Sequence, residues 1–438
     1  MIEINEFKLP MKPAEACSYI KRNTDNFGVF FDLDRINEYI AMLSLRNREL
    51  DTKVLDLTHD PNLSLYSKSY KNAVINCLIR MGVNPVEFDG GSYNEDIRKK
   101  ILSCPQYCDE AKELVKMTSE FMSNKRNIGA LSTFGAFPIS LGMSKEKHRM
   151  TVAHPDWDVL NTGRIAASNP GIQGIPRSMG DIICEPEGYT LIRCDSGQIE
   201  PRINFSYFFR DELIMKLINH YDDAYFGLLN FCKMTEEEER NCRLDFDHNF
   251  KPMEITDEIK DMRQNIKTLT NAGSYGSTNL GNINASLAKV YDMKIVKHPA
   301  RLALERKVTQ DVERGVTTFY GAFGTPVTPG ATDKYEVGEG GWKNHLIRCG
   351  INNPTQTTAS ELMMFSVNRA KEIISNAKDT HICFYKHDEA CFYVSDEDMA
   401  NGVGDALSDV TAYQVKGWLP IHSDPVRGRK HSDYPSYL

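Results

Sequence analysis

The sequence predicts an α+β fold in which helical regions accompany a small antiparallel sheet, and three stretches carry this prediction. From Asp32 to Glu49, apolar residues recur at helical spacing among Arg and Glu. The stretch YTLIRC, residues 189–194, has the composition of a short strand. The stretch HICFYKHDEACFYV, residues 381–394, contains two runs of β-forming residues around a short polar turn, which is typical of a hairpin.

The bulk composition predicts a globular protein with a substantial core. The chain has 438 residues, of which 41% are hydrophobic, which is enough for about two to four domains or one large divided body. No apolar run approaches the length of a membrane span, and the N-terminus lacks a basic-then-apolar signal pattern. The 11 cysteines are scattered without a CxxC pair, so we expect reduced thiols in a cytoplasmic, non-secreted protein.

The formal net charge of −8 bears on nucleic-acid binding. It argues against a protein that coats nucleic acid non-specifically, but it leaves room for a local basic groove, because the distribution of charge matters more than its sum.

The predicted secondary structure changes along the chain. Residues Ser67 to Met81 and Asp109 to Met122 have helical patterns, so the region 26–150 is predicted to be mainly helical. The stretch NTGRIAASNPGIQGIPR, residues 161–177, is rich in Gly, Pro, Asn and Ser and is predicted to be mostly loop. Residues 206–349 are predicted to be helical, followed by a helix from Ala359 to Ile374.

Two aspartates stand at the ends of predicted strands. Asp195 follows YTLIRC, and Asp388 lies at the tip of the predicted hairpin. If both strands share a sheet, the two carboxylates can converge into a site for hard divalent cations such as Mg²⁺, whose remaining ligands are often substrate phosphates. The simpler alternative for Asp388 is a polar turn without chemistry.

The stretch RQNIKTLTNAGSYG, residues 263–276, supplies cationic groups for a phosphate-bearing substrate. Arg263, Lys267, Asn271 and Tyr275 recur at intervals of four and share one stripe of a helix, because each residue turns the helix by about 100°. Arg binds phosphate bidentately and Lys acts as a point charge. The alternative is an exposed basic stripe with a core tyrosine.

Five segments, in this order along the chain, resemble motifs of the A-family DNA polymerases, the group that includes bacterial DNA polymerase I and related phage enzymes. TGRIAASNPGIQGIP resembles the family's TGRLSSxxPNLQNIP loop, and DSGQIEPR resembles motif A, DYSQIELR. RQNIKTLTNAGSYG is similar to motif B, R-x3-K-x7-YG. NNPTQTTASEL resembles the NxPxQGTAAD helix, and HDE is motif C.

The resemblance implies a right-hand polymerase fold with an antiparallel-sheet palm, helical fingers and a helical thumb. The implied divisions are a lead-in at 1–25, a thumb at 26–150, a palm at 151–205 with motif A, fingers at 206–349 with motif B, and a second palm segment at 350–438 with motif C. The implied function is template-directed DNA synthesis, in which the primer 3′-hydroxyl attacks the α-phosphate of a dNTP. Primer–template DNA and dNTPs are the implied partners, and two Mg²⁺ ions, with Mn²⁺ as a substitute, are the implied cofactors.

The resemblance also implies a role for each matching residue. Asp195, Asp388 and the backbone carbonyl of Ser196 would bind the metal ions, and Glu389 would support the geometry of the catalytic site. The residues implied at the dNTP are Arg263, Lys267, Glu200, Asn271, Tyr275 and Gln198. The residues implied at the DNA are Arg164, Gln356, Asn352 and His387.

The chain departs from the family pattern in motif B and in its extent. Asn271 stands where the family has an aromatic residue that covers Glu200, so relaxed selection between sugars is expected. FFDLDR, with Asp32 and Asp34, superficially resembles an exonuclease motif. The segment around it, before the predicted thumb, is too short to form an exonuclease domain. We therefore expect a polymerase core without proofreading, of a phage-like kind; a separate exonuclease or processivity subunit is compatible with this layout.

Three other functions compete with this interpretation. A single-subunit RNA polymerase has a similar motif B, but Glu200 occupies the room that a 2′-hydroxyl needs, and HDE differs from the HDS usual in those enzymes. A non-catalytic protein that binds primer–template would not need Asp195, Lys267 and Asp388. A small-molecule phosphotransferase would need a glycine-rich phosphate loop, which the sequence lacks.

Overall fold

The computed structural model describes residues 1–61, 63–274, 285–386 and 388–428; the side chains of 89–91, 96, 177–178, 271–274 and 331–340 lie outside the description. Its contacts divide the chain into two compact units. The first unit comprises residues 1–29, 154–174 and the described residues from 188 onward. The second unit comprises residues 30–153 and 175–187. None of the described helices is long and apolar enough to span a membrane.

The described strands and helices follow one another in mixed order. The strands are β1 (Ile2–Ile4), β2 (Val29–Asp32), β3 (Ile139–Met143), β4 (Arg149–Ala153), β5 (Asp156–Val159), β6 (Ile165–Ser168), β7 (Tyr189–Ser196), β8 (Phe319–Tyr320), β9 (Pro326–Val327), β10 (Thr380–Lys386), β11 (Glu389–Ser395), β12 (Tyr413–Val415) and β13 (Ser423–Arg427). The α-helices are α1 (Pro13–Phe27), α2 (Leu33–Thr58), α3 (Tyr70–Arg80), α4 (Glu95–Ser103), α5 (Asp109–Gly135), α6 (Ile199–Ile203), α7 (Glu212–Tyr221), α8 (Ala224–Lys233), α9 (Glu236–Leu244), α10 (Phe246–Asn249), α11 (Asp257–Ser274), α12 (Ala285–Tyr291), α13 (Pro299–Glu313), α14 (Ala331–Ser375), α15 (Asp396–Ala400) and α16 (Val403–Ser408). Short 3₁₀ segments lie at Pro85–Gly91, Ile172–Gly174 and Arg177–Ile182, and π segments at Asn204–Phe208 and Asp292–Val296.

The long helices α2 and α5 form the centre of the second unit. Helix α2 begins where the Asp32 carboxylate accepts a hydrogen bond from the Arg35 backbone N–H, which caps its first turn. Apolar side chains such as Leu50, Val54 and Phe121 are almost completely buried between these helices and their neighbours. The unit also contains a three-stranded sheet in the order β2-β4-β3.

The first unit is built on a four-stranded sheet in the order β10-β11-β7-β13. Strands β10 and β11 form the predicted hairpin, and β11 and β13 each pair antiparallel with β7. Nearly all side chains of β11 and of residues 191–194 are buried. Burial on both faces of a strand favours a near-continuous run of apolar residues, and these two stretches of sequence have that pattern. The sheet therefore holds the ends of β7 and of the hairpin in fixed register.

A second cluster of apolar side chains in the first unit joins helices α7, α8, α11 and α12. Helices α7 and α8 approach closely at Gly227, where an added Cβ atom would lie 2.7 Å from the Ile218 backbone nitrogen. Glycine is needed there because no larger residue fits without moving backbone.

Two sequence-based predictions of secondary structure differ from the structure. The predicted helix at 359–374 is the end of the much longer α14, which continues through Pro354. Proline removes one helical hydrogen bond and usually marks a boundary, so local pattern underestimates such a helix. The region 206–349 is predicted to be helical, but it also contains the short strands β8 and β9, which pair with each other. The stretch at 161–177 is loop-rich as predicted, with the short strand β6 within it.

The five-part division predicted from the sequence remains a prediction. The second unit contains most of the predicted thumb, 26–150, together with residues 175–187, which belong to the predicted palm.

Candidate active site

Strand β7 and the β10–β11 hairpin bring Asp195 and Asp388 to adjacent backbone positions. Asp195 pairs with Glu389 in the sheet register. The backbone N–H of the next residue, Ser196, donates a hydrogen bond of 2.9 Å to the carbonyl oxygen of Asp388. The two aspartates thus stand at neighbouring strand ends, as the sequence predicts.

The Asp388 carboxyl group is surrounded by acidic neighbours. Its pKa is raised to about 6, first because the group is withdrawn from water and further because Glu200 and Glu389 lie near it, while Arg164 opposes the rise. A bound divalent cation would favour the ionised form, so the oxygen donors at this position fit Mg²⁺ or Mn²⁺. The predicted role of the Ser196 backbone carbonyl as a metal ligand remains a prediction.

Glu389 is held by a cation that the sequence reasoning missed. The Arg193 Nε donates to the Glu389 carboxylate at 2.8 Å, and both side chains are buried. Arg193 lies on β7 two residues before Asp195, so Arg193, Asp195 and Glu389 share one face of the sheet. Within YTLIRC, an arginine gives no local signal of a partner 196 residues away.

Asp424 is a further acidic residue that the sequence reasoning missed. It pairs with Asp195 from the other side, on strand β13, and therefore projects from the same face. It lies in the C-terminal segment, outside the recognised motifs, where no pattern distinguished it.

Glu200 and Arg164 form an ion pair rather than standing apart. The Arg164 Nη2 donates to the Glu200 carboxylate at 2.7 Å, and both side chains are mostly buried. The nearby Arg202 is directed elsewhere, to the backbone carbonyls of Pro420 and Asp222 and to the Asp222 carboxylate.

Helix α14 places Asn352 and Gln356 beside Glu200. These three side chains line one small pocket together with Asn204 and Thr355. The structure thus brings a predicted dNTP-binding residue next to two predicted DNA-binding residues.

Helix α11 carries the cations predicted at the nucleotide. The Arg263 guanidinium pairs with Asp223, and it lies over the rings of Tyr225 and Phe226 at 5.2 and 5.3 Å from their centroids. Lys267 Nζ lies 6.0 Å from the Tyr225 centroid. Burial raises the pKa of Tyr225 to about 12, so its hydroxyl stays protonated at neutral pH.

Gln198, predicted at the dNTP, links motif A to helix α8. Its amide nitrogen donates to Asp223 at 2.7 Å, and its amide oxygen accepts from the Ala224 N–H at 2.5 Å. Three predicted site residues cannot be placed: His387 and Tyr275 lie outside the described residues, as does the side chain of Asn271.

Among the described residues, the one group of three or more His, Cys, Asp and Glu side chains with metal-ligand spacing lies in the second unit. It consists of Asp32, Glu146 and His148, whose ligand atoms lie within 4.8 Å of one another. It contains none of the predicted metal ligands.

A comparison with solved structures finds the same fold in a DNA polymerase. The polymerase (POL) domain of Pol1 from M. smegmatis, solved in complex with DNA primer-template and dNTP, matches with a TM-score of 0.71 over 95% of this chain and 70% of that chain. The two sequences are 16% identical over the match, so the likeness establishes the fold. No protein-family model and no curated protein matches the sequence. The chain therefore has the α+β fold of a DNA polymerase I polymerase domain.

Proposed function

We propose that this chain is a template-directed DNA polymerase that adds dNMP to a primer 3′-hydroxyl by two-metal-ion phosphoryl transfer. The observation that carries the proposal is the meeting of Asp195 and Asp388 at neighbouring strand ends, within a fold shared with a DNA polymerase domain. Its partners would be primer–template DNA and dNTPs, and its site of action would be the cytoplasm of a bacterial or phage-infected cell.

The carboxylates would hold the metal ions. Asp195, Asp388 and the Ser196 carbonyl would bind two Mg²⁺ or Mn²⁺ ions, which supply activation of the 3′-hydroxyl and neutralise charge on the phosphates. Glu389, fixed by Arg193, would keep this edge of the sheet in place.

The remaining site residues would bind and orient the substrates. Arg263 would bind the distal phosphates, and Lys267 would neutralise the leaving pyrophosphate and give it a proton. Glu200 would lie at the sugar 2′-position. Arg164, Asn352 and Gln356 would contact acceptors in the minor groove at the primer end, which tests base-pair shape and not sequence.

We also propose that the chain does not proofread. The two aspartates of FFDLDR have structural partners: Asp32 caps helix α2 and binds His148, and Asp34 pairs with the Arg149 guanidinium and backbone N–H. A primer with a mismatched 3′ end should therefore not be shortened by the chain.

Primer extension with Mg²⁺ tests the proposal. Wild-type protein should extend a DNA primer with dNTPs, and Asp388→Asn should abolish extension while leaving primer–template binding. Asp396→Asn is the matched control, because Asp396 is exposed at the opposite end of the hairpin's second strand. Template binding without extension by the wild type would contradict the proposal and favour a non-catalytic binding protein.

The same assay with rNTPs measures sugar selection. Asn271 cannot cover Glu200 as an aromatic ring would, so we expect a relaxed sugar site. The chain should then incorporate rNTPs about as efficiently as dNTPs. A strong preference for dNTPs would show that this part of the proposal is wrong.

A further inference from the structure

The Arg263 guanidinium is gripped along one edge by Asp223. The Arg263 Nη2 donates to Asp223 Oδ2 at 2.6 Å, and its Nε lies 3.1 and 3.2 Å from the two carboxylate oxygens. Both side chains are mostly buried, with exposed fractions of 25% for Arg263 and 16% for Asp223. A forked contact of this kind fixes the plane of the guanidinium as well as its position.

Asp223 is itself immobilised by two further hydrogen bonds. As the N-cap of helix α8, it accepts from the Phe226 N–H at 2.8 Å. It also accepts from the side chain of Gln198 at 2.7 Å. Burial alone would raise the pKa of Asp223, but the hydrogen bonds from Arg263 and the Phe226 N–H outweigh burial and lower it, so the group is an anion at neutral pH.

The rings of Tyr225 and Phe226 provide a second restraint on the guanidinium. With the Nε–Nη2 edge on Asp223, the N–H groups of Nη1 donate no hydrogen bond to any other described residue. An arginine has five N–H donors in a rigid fork, so one edge can be anchored while the other meets a ligand.

We propose that Asp223 is a positioning residue that holds Arg263 with its Nη1 edge presented to the triphosphate of the incoming nucleotide. The inference rests on the proposed function, in which Arg263 binds phosphate. Through Gln198, the same carboxylate ties the residues after β7 to helices α8 and α11, so it would set the phosphate-binding arginine relative to the catalytic carboxylates.

Asp223→Asn is the test variant. Asn is nearly isosteric and is an equally good N-cap, but it lacks the charge that grips the guanidinium. We expect the KM for dNTP to rise by about tenfold to 150-fold, the range for a lost hydrogen bond to a charged group, with kcat and primer–template affinity changed by less than about twofold. If Asp223→Asn does not fold, Asp223→Ser keeps a capping side chain and takes its place.

A substitution of Arg263 provides the second part of the test. In an Arg263→Lys background the fork is absent, so Asp223→Asn should add less than about twofold to KM, because the two residues act as one unit. Equal effects of Asp223→Asn in both backgrounds would overturn the proposal, since they would show a structural role that does not pass through Arg263.

Asp211 offers a matched control in the same unit. It caps helix α7 by accepting from the Ile214 N–H at 2.9 Å, and it pairs with Arg243 at 2.9 Å. Asp211→Asn therefore keeps the same kind of cap and removes the same kind of ion pair, so it should lower thermal stability while leaving the KM for dNTP unchanged.

Binding of inorganic tripolyphosphate, measured by calorimetry, separates this inference from the proposed polymerase activity. Weaker binding by Asp223→Asn and unchanged binding by Asp211→Asn would support the positioning role even if no primer is extended. Unchanged or tighter tripolyphosphate binding by Asp223→Asn would overturn the positioning role. Tighter binding would show that the Asp223 carboxylate competes with phosphate for Arg263.

Discussion

Arg193 and Glu389 form a buried ion pair on the sheet face that also carries Asp195. Their side chains are only 7% and 11% exposed, so each charge depends on the other. Replacing a buried pair by apolar groups can be neutral, whereas removing one partner leaves an uncompensated charge. At this residue scale, the pair is a structural support of the sheet edge that carries Asp195.

Arg193→Met should therefore destabilise the protein strongly, by about 3 to 5 kcal/mol. Chemical denaturation followed by circular dichroism measures the change. Lys378→Met is the control, because the Lys378–Glu397 pair is exposed on both sides and should contribute little. A comparable loss of stability in both variants would show that burial of the Arg193 pair has no special effect.

The Arg164–Glu200 pair makes a prediction about sugar selection. Arg164→Ala would release the Glu200 carboxylate, so any preference for dNTP that the wild type retains should be lost, and the ratio of dNTP to rNTP incorporation efficiency should approach one. In a Glu200→Ala background the same substitution should leave the ratio unchanged. Single-nucleotide insertion kinetics measure both; an equal loss of efficiency with dNTP and rNTP would instead indicate a role for Arg164 in DNA binding alone.

Some of these residues could be predicted from the sequence and others could not. Asp195 and Asp388 could, because each follows a run of β-forming residues and the ends of adjacent strands meet. The roles of Arg193, Asp223 and Asp424 could not be predicted, because each depends on a partner that is distant in the sequence. Glu200 was recognised, but its partner Arg164 was expected at the DNA.

At the scale of elements, the hydrophobic pattern of the sequence predicts the bounds of the hairpin well and those of the long helix α14 poorly. The two β-forming runs at 381–385 and 390–394 lie within β10 and β11 because their side chains are buried on both faces. Helix α14 extends far beyond its predicted start, since Gly and Pro within it mask the helical period.

The packing of α7 against α8 yields a prediction with a built-in control. Gly227→Ala should destabilise the protein by about 1 to 3 kcal/mol, because its Cβ atom would lie within 2.8 Å of Ile218 backbone atoms. Gly129→Ala, on the exposed face of α5 with no atom within 4 Å, should instead stabilise by up to about 1 kcal/mol. Thermal unfolding of both variants decides; stabilisation by Gly227→Ala would contradict the described contact.

At the scale of the whole molecule, the fold matches that of a DNA polymerase domain at 16% identity. Motif order indicated this fold from the sequence, although overall similarity is low. What motifs could not give is the division into compact units, because residues 175–187 join a unit that is otherwise formed by 30–153.

Net charge predicts how the whole molecule should bind DNA. With a formal charge of −8, the protein as a whole repels DNA, so the proposed binding would depend on local contacts to phosphate. Primer–template affinity, measured by fluorescence anisotropy, should fall as salt rises, with a log–log slope of about −0.9 per phosphate neutralised. An affinity that does not change with salt would contradict binding through the phosphate backbone.

Template dependence is the central claim, and single-nucleotide insertion tests it most directly. Four primer–templates that differ only in the templating base are each incubated with one dNTP at a time and Mg²⁺. The account predicts that each template directs insertion of its complementary nucleotide, and that Asp388→Asn inserts none. Insertion of the same nucleotide on all four templates, or none on any of them, would contradict it.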